Sequence, residues 1–123
     1  MAGKAAETLD FAELATSVLR GLSVPEVAAV RHALIPECWV SASRSDGRAE
    51  NVVIGIADAV ALDRDGGIGL VIDWKSDVAP EPKTVSRYHG QVRSYLDATG
   101  APEGLIVFLT TGQVERVRPV EAE

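Results

Sequence analysis

Two apolar segments on either side of a glycine-rich turn constrain this chain more than any other feature. The stretch from Gly55 to Asp77 reads GIADAVALDRDGGIGLVIDWKSD, with strand-forming residues before and after RDGG. Apolar runs separated by a turn of this composition are typical of a β-hairpin. We therefore predict two antiparallel strands joined by a four-residue turn over residues 64–67.

Each predicted strand carries an aspartate inside its apolar run. These are Asp58 and Asp73, and Lys75 follows two residues after the second. A turn over 64–67 pairs Asp63 with Ile68 and so places Asp58 opposite Asp73, where Cβ atoms lie about 4.5–5.5 Å apart. Lys75 shares the face of Asp73 because side chains alternate along a strand. The hairpin is therefore expected to bring two carboxylates and an ammonium to one point.

This cluster has two interpretations. It is either a salt-bridged or solvent-facing group, or a functional site. Ile54, Ile56 and Val60 alternate with Asp58 and predict a half-buried face, where ionisable groups favour a functional site. Two carboxylates and a backbone carbonyl, such as that of Trp74, suit Mg²⁺ or Mn²⁺. A neighbouring lysine can orient a water molecule or stabilise an oxyanion, so the pattern indicates metal-assisted phosphodiester hydrolysis.

The N-terminal part of the chain predicts two helices. Apolar residues over 9–19 recur at helical spacing, and we expect Gly21 to end this helix. Ser23, with Pro25 in the first turn and Glu26 three residues later, predicts a capping box on a second helix.

The rest of the chain predicts a mixed sheet. We expect a short strand over 37–43, the hairpin, a helix over 84–99 that Gly100 ends, a buried strand in GLIVFLTT and an edge strand in QVERVRPV. The resulting order is α-α-β-β-β-α-β-β, an α/β fold with helices packed on the sheet. We expect a single domain, with an N-terminal helix over 1–22, a core over 23–118 and an acidic tail over 119–123.

Composition narrows the class of protein. The net charge of −6 argues against non-specific coating of nucleic acid but not against a nuclease, because a metal site concentrates carboxylates. The single cysteine, Cys38, cannot form an internal disulfide, and the chain has no apolar run of about 18 residues and no signal-like start. We therefore expect a cytoplasmic protein without a membrane partner.

Three short motifs follow one another along the chain. They are G-x-x-D from Gly55 to Asp58, D-x-K from Asp73 to Lys75, and Q-x-x-x-Y from Gln91 to Tyr95. Together, over about residues 23–112, they resemble the RecB-like nuclease domain of the PD-(D/E)XK superfamily, found at the C-terminal end of exonuclease V and AddA-type helicase-nucleases. The resemblance implies a restriction-endonuclease-like mixed β-sheet flanked by helices.

The resemblance also implies roles for individual residues. Asp58 and Asp73, with the Trp74 carbonyl, would ligate Mg²⁺ or Mn²⁺, and Lys75 would serve the attacking water. The substrate would be DNA, and a helicase subunit is a possible partner. The supporting residues would be Gln91, Tyr95 and Arg87, near the site or on the nucleic acid.

The chain departs from the family at one point. A further ligand, a His or Glu on an upstream helix, has no clear counterpart, and Glu13 and Glu37 are the weaker candidates for it. Tyr95 also belongs to a helical stripe with Tyr88 and Val92, which equally predicts core packing. The alternatives are therefore a catalytically degenerate module that binds DNA or a partner helicase, and an accidental resemblance in a small α/β protein.

Overall fold

A computed structural model describes residues 11–43 and 51–120 of the 123-residue chain. Its elements, in chain order, are α1 (Phe11–Ser23), α2 (Pro25–Ala28), a short 3-10 helix (Arg31–Ala33), β1 (Leu34–Ser43), β2 (Asn51–Leu62), β3 (Ile68–Lys75), α3 (Pro82–Thr99), β4 (Gly104–Phe108) and β5 (Val114–Val117). The predicted helix start at Leu9 and the end of the acidic tail lie outside the described residues. No helix in the described ranges is both long and apolar enough to cross a bilayer.

The strands form one mixed sheet in the order β1-β2-β3-β4-β5. Neighbouring strands are antiparallel except β3 and β4, which are parallel. A parallel pair needs a crossover connection, and α3 supplies it between these two strands. The predicted α/β fold, a mixed sheet flanked by helices that is consistent with a restriction-endonuclease-like sheet, is confirmed, and so is the element order.

Both faces of the sheet are covered, so the central strands are buried on both sides. One apolar cluster lies under α3 and includes Val92 and Leu96, while the other lies under α1 and α2 and includes Val27. From Leu70 to Ile72, the residues of β3 alternate between the two clusters, which explains the continuous apolar sequence there. Gly100 ends α3 in the left-handed conformation, with φ of 77°, as predicted.

The predicted boundary between the first two helices is wrong. α1 runs through Gly21 and ends at Ser23, whose hydroxyl donates to the Leu19 carbonyl at 2.7 Å. Ser23 therefore does not cap the second helix, whose N-cap is Val24 without a side-chain hydrogen bond. A Cβ atom at position 21 would collide with Leu109, so Gly21 allows α1 to approach the sheet closely rather than ending the helix.

The hairpin keeps the predicted register but has a different turn. Ala59 pairs with Ile72 and Ala61 with Leu70, as predicted, whereas a bulge then pairs Leu62 rather than Asp63 with Ile68. The Asp63 carboxylate instead accepts hydrogen bonds from the backbone N–H groups of residues 65 and 67, at 2.9 and 3.0 Å. Because the Asp63 side chain bonds the backbone of its own turn, the β2–β3 ladder ends at Leu62 rather than at Asp63.

Midway along β1 and β2, the side of the sheet to which alternate side chains point is reversed. Ala57 packs under α3 but Ala59 packs on the opposite side, although residues two apart share a face in a regular strand. The switch falls at Asp58, opposite Glu37, which has a left-handed φ of 51°. Because of it, Ile54 and Ile56 are 42% and 44% exposed, so the prediction that they form a half-buried face with Asp58 is wrong.

Candidate functional site

The three residues of the D…D-x-K pattern meet where β2 and β3 separate. The ladder between these strands ends at Ala59 and Ile72, so Asp58 and Asp73 lie one position beyond the last pair. The predicted direct cross-strand pair is therefore not formed. Instead, the Asp58 carboxylate accepts a hydrogen bond from the Trp74 backbone N–H at 2.8 Å, which links the two strands beyond the end of the ladder.

Asp73 is the one buried polar or charged residue in the described part of the chain, with 5% of its surface exposed. The Lys75 Nζ lies 3.1 Å from its Oδ2, which confirms that the two side chains share a face. That approach lacks hydrogen-bond geometry, so among the described residues Oδ2 has an ion pair but no hydrogen-bond donor. A buried carboxylate oxygen in this state is an available ligand atom.

The surroundings of Asp73 favour its protonated form. Burial is the main cause, a side-chain hydrogen bond with Asp58 adds to it, and the positive charge of Lys75 opposes both; together they raise the pKa of Asp73 to about 6. Ionising both carboxylates at one site costs free energy, because the two negative charges repel each other. A divalent cation relieves this cost because its charge offsets both carboxylates.

Lys75 lies between Asp73 and an aromatic ring. Its Nζ is 4.2 Å from the centroid of Tyr88, and the Tyr88 hydroxyl donates to the Asp77 carboxylate, with O···O distances of 2.9 and 3.1 Å. The sequence predicted only a packing stripe for Tyr88 and no role for Asp77. The available signal was that Asp77 lies two residues after Lys75, with Tyr88 in the first half of the next helix.

Gln91 and Tyr95 interact with each other rather than with the acidic residues. The Gln91 amide donates to the Tyr95 hydroxyl at 3.3 Å, and that hydroxyl donates to the Ile56 carbonyl at 3.4 Å. Tyr95 is also 4% exposed and part of the core under α3. Within the described residues, neither side chain bonds to Asp58 or Asp73. Both lie on the β2 side of the fork, which is the point where β2 and β3 separate beyond Ala59 and Ile72.

Gly55 and Tyr95, from two of the three motifs, are in direct contact. A Cβ atom at position 55 would lie 2.7 Å from the Tyr95 hydroxyl oxygen. Glycine at this point is therefore required by the tyrosine, and the tyrosine in turn holds the backbone of β2 two residues before Asp58. This contact gives a physical reason for the joint presence of the two motifs.

The remaining predicted site residues lie further out. The Arg87 guanidinium is exposed and 5.8 Å from the Tyr88 ring centroid, on the outer side of α3. The exposed Glu37 lies opposite Asp58 on β1. Glu13 belongs to α1, but its side chain lies outside the described part of the structure.

The described residues supply an incomplete set of acidic ligands. Within 11–43 and 51–120, no group of three or more His, Cys, Asp or Glu side chains is arranged to hold a metal ion. Asp58 and Asp73 are the two carboxylates brought together, and Trp74, whose indole packs under α1, places its backbone beside them. A six-coordinate cation here would need further oxygen atoms from backbone, water or substrate.

No family model matches the sequence, and no curated protein matches it. A solved structure described as the crystal structure of SSO0001 resembles this chain with a TM-score of 0.59 and 18% identical residues. The match covers 84% of this chain and 51% of that one, so this chain spans about half the length of that protein. The similarity establishes a shared mixed α/β fold.

Proposed function

We propose that this protein is a divalent-metal-dependent DNA nuclease that hydrolyses phosphodiester bonds at the fork between β2 and β3. The observation that carries the proposal is Asp73, a buried carboxylate whose Oδ2 has no hydrogen-bond donor within 11–43 and 51–120 and lies 3.1 Å from a lysine ammonium. Folding does not require this group, because a buried ion pair contributes little net stability compared with apolar residues of similar size. The order of the three motifs supports the same assignment.

The residues present fit Mg²⁺ or Mn²⁺, which prefer carboxylate and carbonyl oxygen. Asp58, Asp73 and the Trp74 carbonyl would hold the cation, which when bound would polarise the phosphate and lower the pKa of a bound water. The buried Oδ2 of Asp73, which has an ion pair but no hydrogen-bond donor among the described residues, is the observation in favour of this fit.

Lys75 has the role of orienting the water and stabilising negative charge near the phosphate. Its ammonium is a compact charge on a flexible stem, and its side chain is 22% exposed, so it can reach solvent while remaining at Asp73. A preorganised cation next to developing charge is a large contribution to catalysis in a partly buried site. Arg87, exposed on α3 beside Tyr88, would meet phosphate oxygens of the bound strand.

A second candidate function is a catalytically degenerate module that binds DNA or a helicase partner. The incomplete acidic ligand set in the described residues favours it. The two candidates differ in one property, which is turnover. Both are compatible with a cytoplasmic protein and with a helicase that supplies single strands.

The experiment combines thermal melting in Mg²⁺ or Mn²⁺ with cleavage of labelled single- and double-stranded DNA. Wild type is compared with Asp73→Ala and Lys75→Ala, and Asp97→Ala serves as the matched control because Asp97 is an exposed carboxylate elsewhere on α3. Metal at about 100 times its Kd should stabilise the wild type by about 2.7 kcal/mol. We expect Asp73→Ala to lose both stabilisation and cleavage, Lys75→Ala to lose cleavage, and Asp97→Ala to retain both.

The outcomes separate the candidates. Stabilisation by metal together with cleavage supports the nuclease. Binding of DNA without cleavage at any metal concentration supports the degenerate module. A wild-type protein that responds to neither metal nor DNA refutes the nuclease and the DNA-binding form of the degenerate module.

A further inference from the structure

The ammonium of Lys75 has two close neighbours. Its Nζ lies 3.1 Å from the Asp73 Oδ2 and 4.2 Å from the centroid of the Tyr88 ring, over the face of that ring. A cation within about 6 Å of a ring centroid is attracted by the negative face of the ring. The Lys75 head group is therefore confined between a carboxylate and an aromatic face.

The Tyr88 ring is itself fixed by Asp77. Its hydroxyl donates to both carboxylate oxygens, at 2.9 and 3.1 Å, and the ring packs against the core under α3. A phenol that donates to a carboxylate is polarised toward phenolate, which makes its ring face more attractive to a cation. Asp77 lies in the loop between β3 and α3, so this bond ties the loop to the helix beside the fork.

The conformational freedom of lysine explains why contacts that order its ammonium are needed. A lysine side chain has four rotatable bonds, and ordering it costs about 1.5–2 kcal/mol of conformational entropy. In the metal-free protein the ion pair with Asp73 orders it. If Asp73 ligated a cation, its negative charge would be shared and that ion pair would weaken. The Tyr88 ring would then be the contact, among those seen in the described residues, that keeps the ammonium at the site.

We propose that Tyr88, fixed by Asp77, is a positioning residue that holds the Lys75 ammonium beside the reacting phosphate. The inference rests on the proposed nuclease function and goes beyond it, because no motif of the family resemblance includes Tyr88 or Asp77. Tyr88 is assigned no contact with the substrate in this proposal. Its effect is transmitted through Lys75.

The test compares Tyr88→Leu with Tyr88→Phe, which keeps the ring and removes the hydroxyl. We expect Tyr88→Leu to lower kcat about 10- to 100-fold, since misplacement of a reacting group by 1 Å can cost about 100-fold, while KM changes by less than about twofold. Tyr88→Phe should recover most of kcat. His89→Leu is the matched control, because His89 is a neighbouring half-buried residue that pairs with Glu115 away from the fork.

A second readout does not depend on activity. A lysine side chain over a ring face has its NMR proton resonances shifted upfield by the ring current. The Lys75 side-chain resonances should be shifted in the wild type and in Tyr88→Phe, and unshifted in Tyr88→Leu. This readout on the wild type keeps the inference testable even when Tyr88→Leu does not fold.

The failures are distinguishable. An unshifted Lys75 in the wild type overturns the inference, and so does a folded Tyr88→Leu variant with unchanged kcat, while the nuclease proposal survives either result. A wild type that cuts no DNA overturns the nuclease proposal and this inference with it.

Discussion

Replacing Asp58 with asparagine should make the metal-free protein more stable at pH 8. The Asp58 carboxylate accepts from the Trp74 N–H at 2.8 Å and also raises the pKa of Asp73. An asparagine oxygen can accept the same N–H, and its amide can donate to the ionised Asp73. The substitution thus keeps the link between β2 and β3 while it removes one of two neighbouring negative charges.

The magnitude follows from the pKa of Asp73. A rise from 3.8 to about 6 corresponds to about 3 kcal/mol of unfolding free energy lost at pH 8, at about 1.36 kcal/mol per pH unit. Burial is the largest cause and Asp58 the second, so we assign about 1 kcal/mol to Asp58. For a chain of this length that amounts to a rise in Tm of about 3–5 °C.

The sign of the pH dependence is fixed by the direction of the shift. Because folding raises the pKa of Asp73, the folded state binds more protons between about pH 4 and pH 6. Stability from this group is fully present below its unfolded pKa and is lost as the pH rises through about 6. At pH 5 Asp73 is largely protonated in the folded protein, so the advantage of Asp58→Asn should shrink toward zero.

The assay is thermal melting of wild type and Asp58→Asn in EDTA at pH 5 and pH 8. Asp63→Asn is the matched control, because it makes the same change in net charge at a carboxylate that also accepts backbone N–H groups. This control should not reproduce the pH-dependent gain, because Asp63 bonds its own turn and is not a neighbour of Asp73. The reasoning is refuted if Asp58→Asn is less stable than wild type at pH 8, or if its gain is equal at pH 5 and pH 8. Saturating Mg²⁺ should reverse the order, since the variant lacks a proposed ligand.

Two glycines provide further predictions. Gly55→Ala should lower the free energy of unfolding by about 1–3 kcal/mol in denaturant unfolding, because the new Cβ would lie 2.7 Å from the Tyr95 hydroxyl. Tyr95→Phe in the same chain should recover part of that loss. No recovery would contradict the proposed contact. Gly104→Ala should cost a similar amount, about 1–3 kcal/mol, because its Cβ would lie 2.5 Å from the buried Val92. Gly90→Ala is the control for both, since nothing lies within 4 Å of its Cβ, and it should stabilise α3 by about 1 kcal/mol; equal effects at positions 90 and 104 would contradict the packing argument.

Local sequence patterns predicted the features that depend on neighbouring residues. The register of Ala59 with Ile72 and of Ala61 with Leu70 was predicted although the turn itself differs, and strand alternation predicted the shared face of Asp73 and Lys75. Gly100 ends α3 for a local reason, since it adopts a left-handed conformation without steric cost. The capping box failed because Ser23 had a local competitor, the Leu19 carbonyl one turn earlier in α1.

The sequence by itself identified the groups to which we assign the chemistry, whereas only the tertiary structure decided what surrounds them. The end of the β2–β3 ladder, the face switch opposite Glu37 and the contact of Lys75 with Tyr88 all join elements whose relative positions depend on how the sheet twists and how α3 packs on it. The same holds for Gly21, which looks like a helix stop along the chain but serves close packing against Leu109. Spacing along a strand or helix is fixed by backbone geometry, but contacts between elements are selected by the packing of the whole core, which no local pattern encodes.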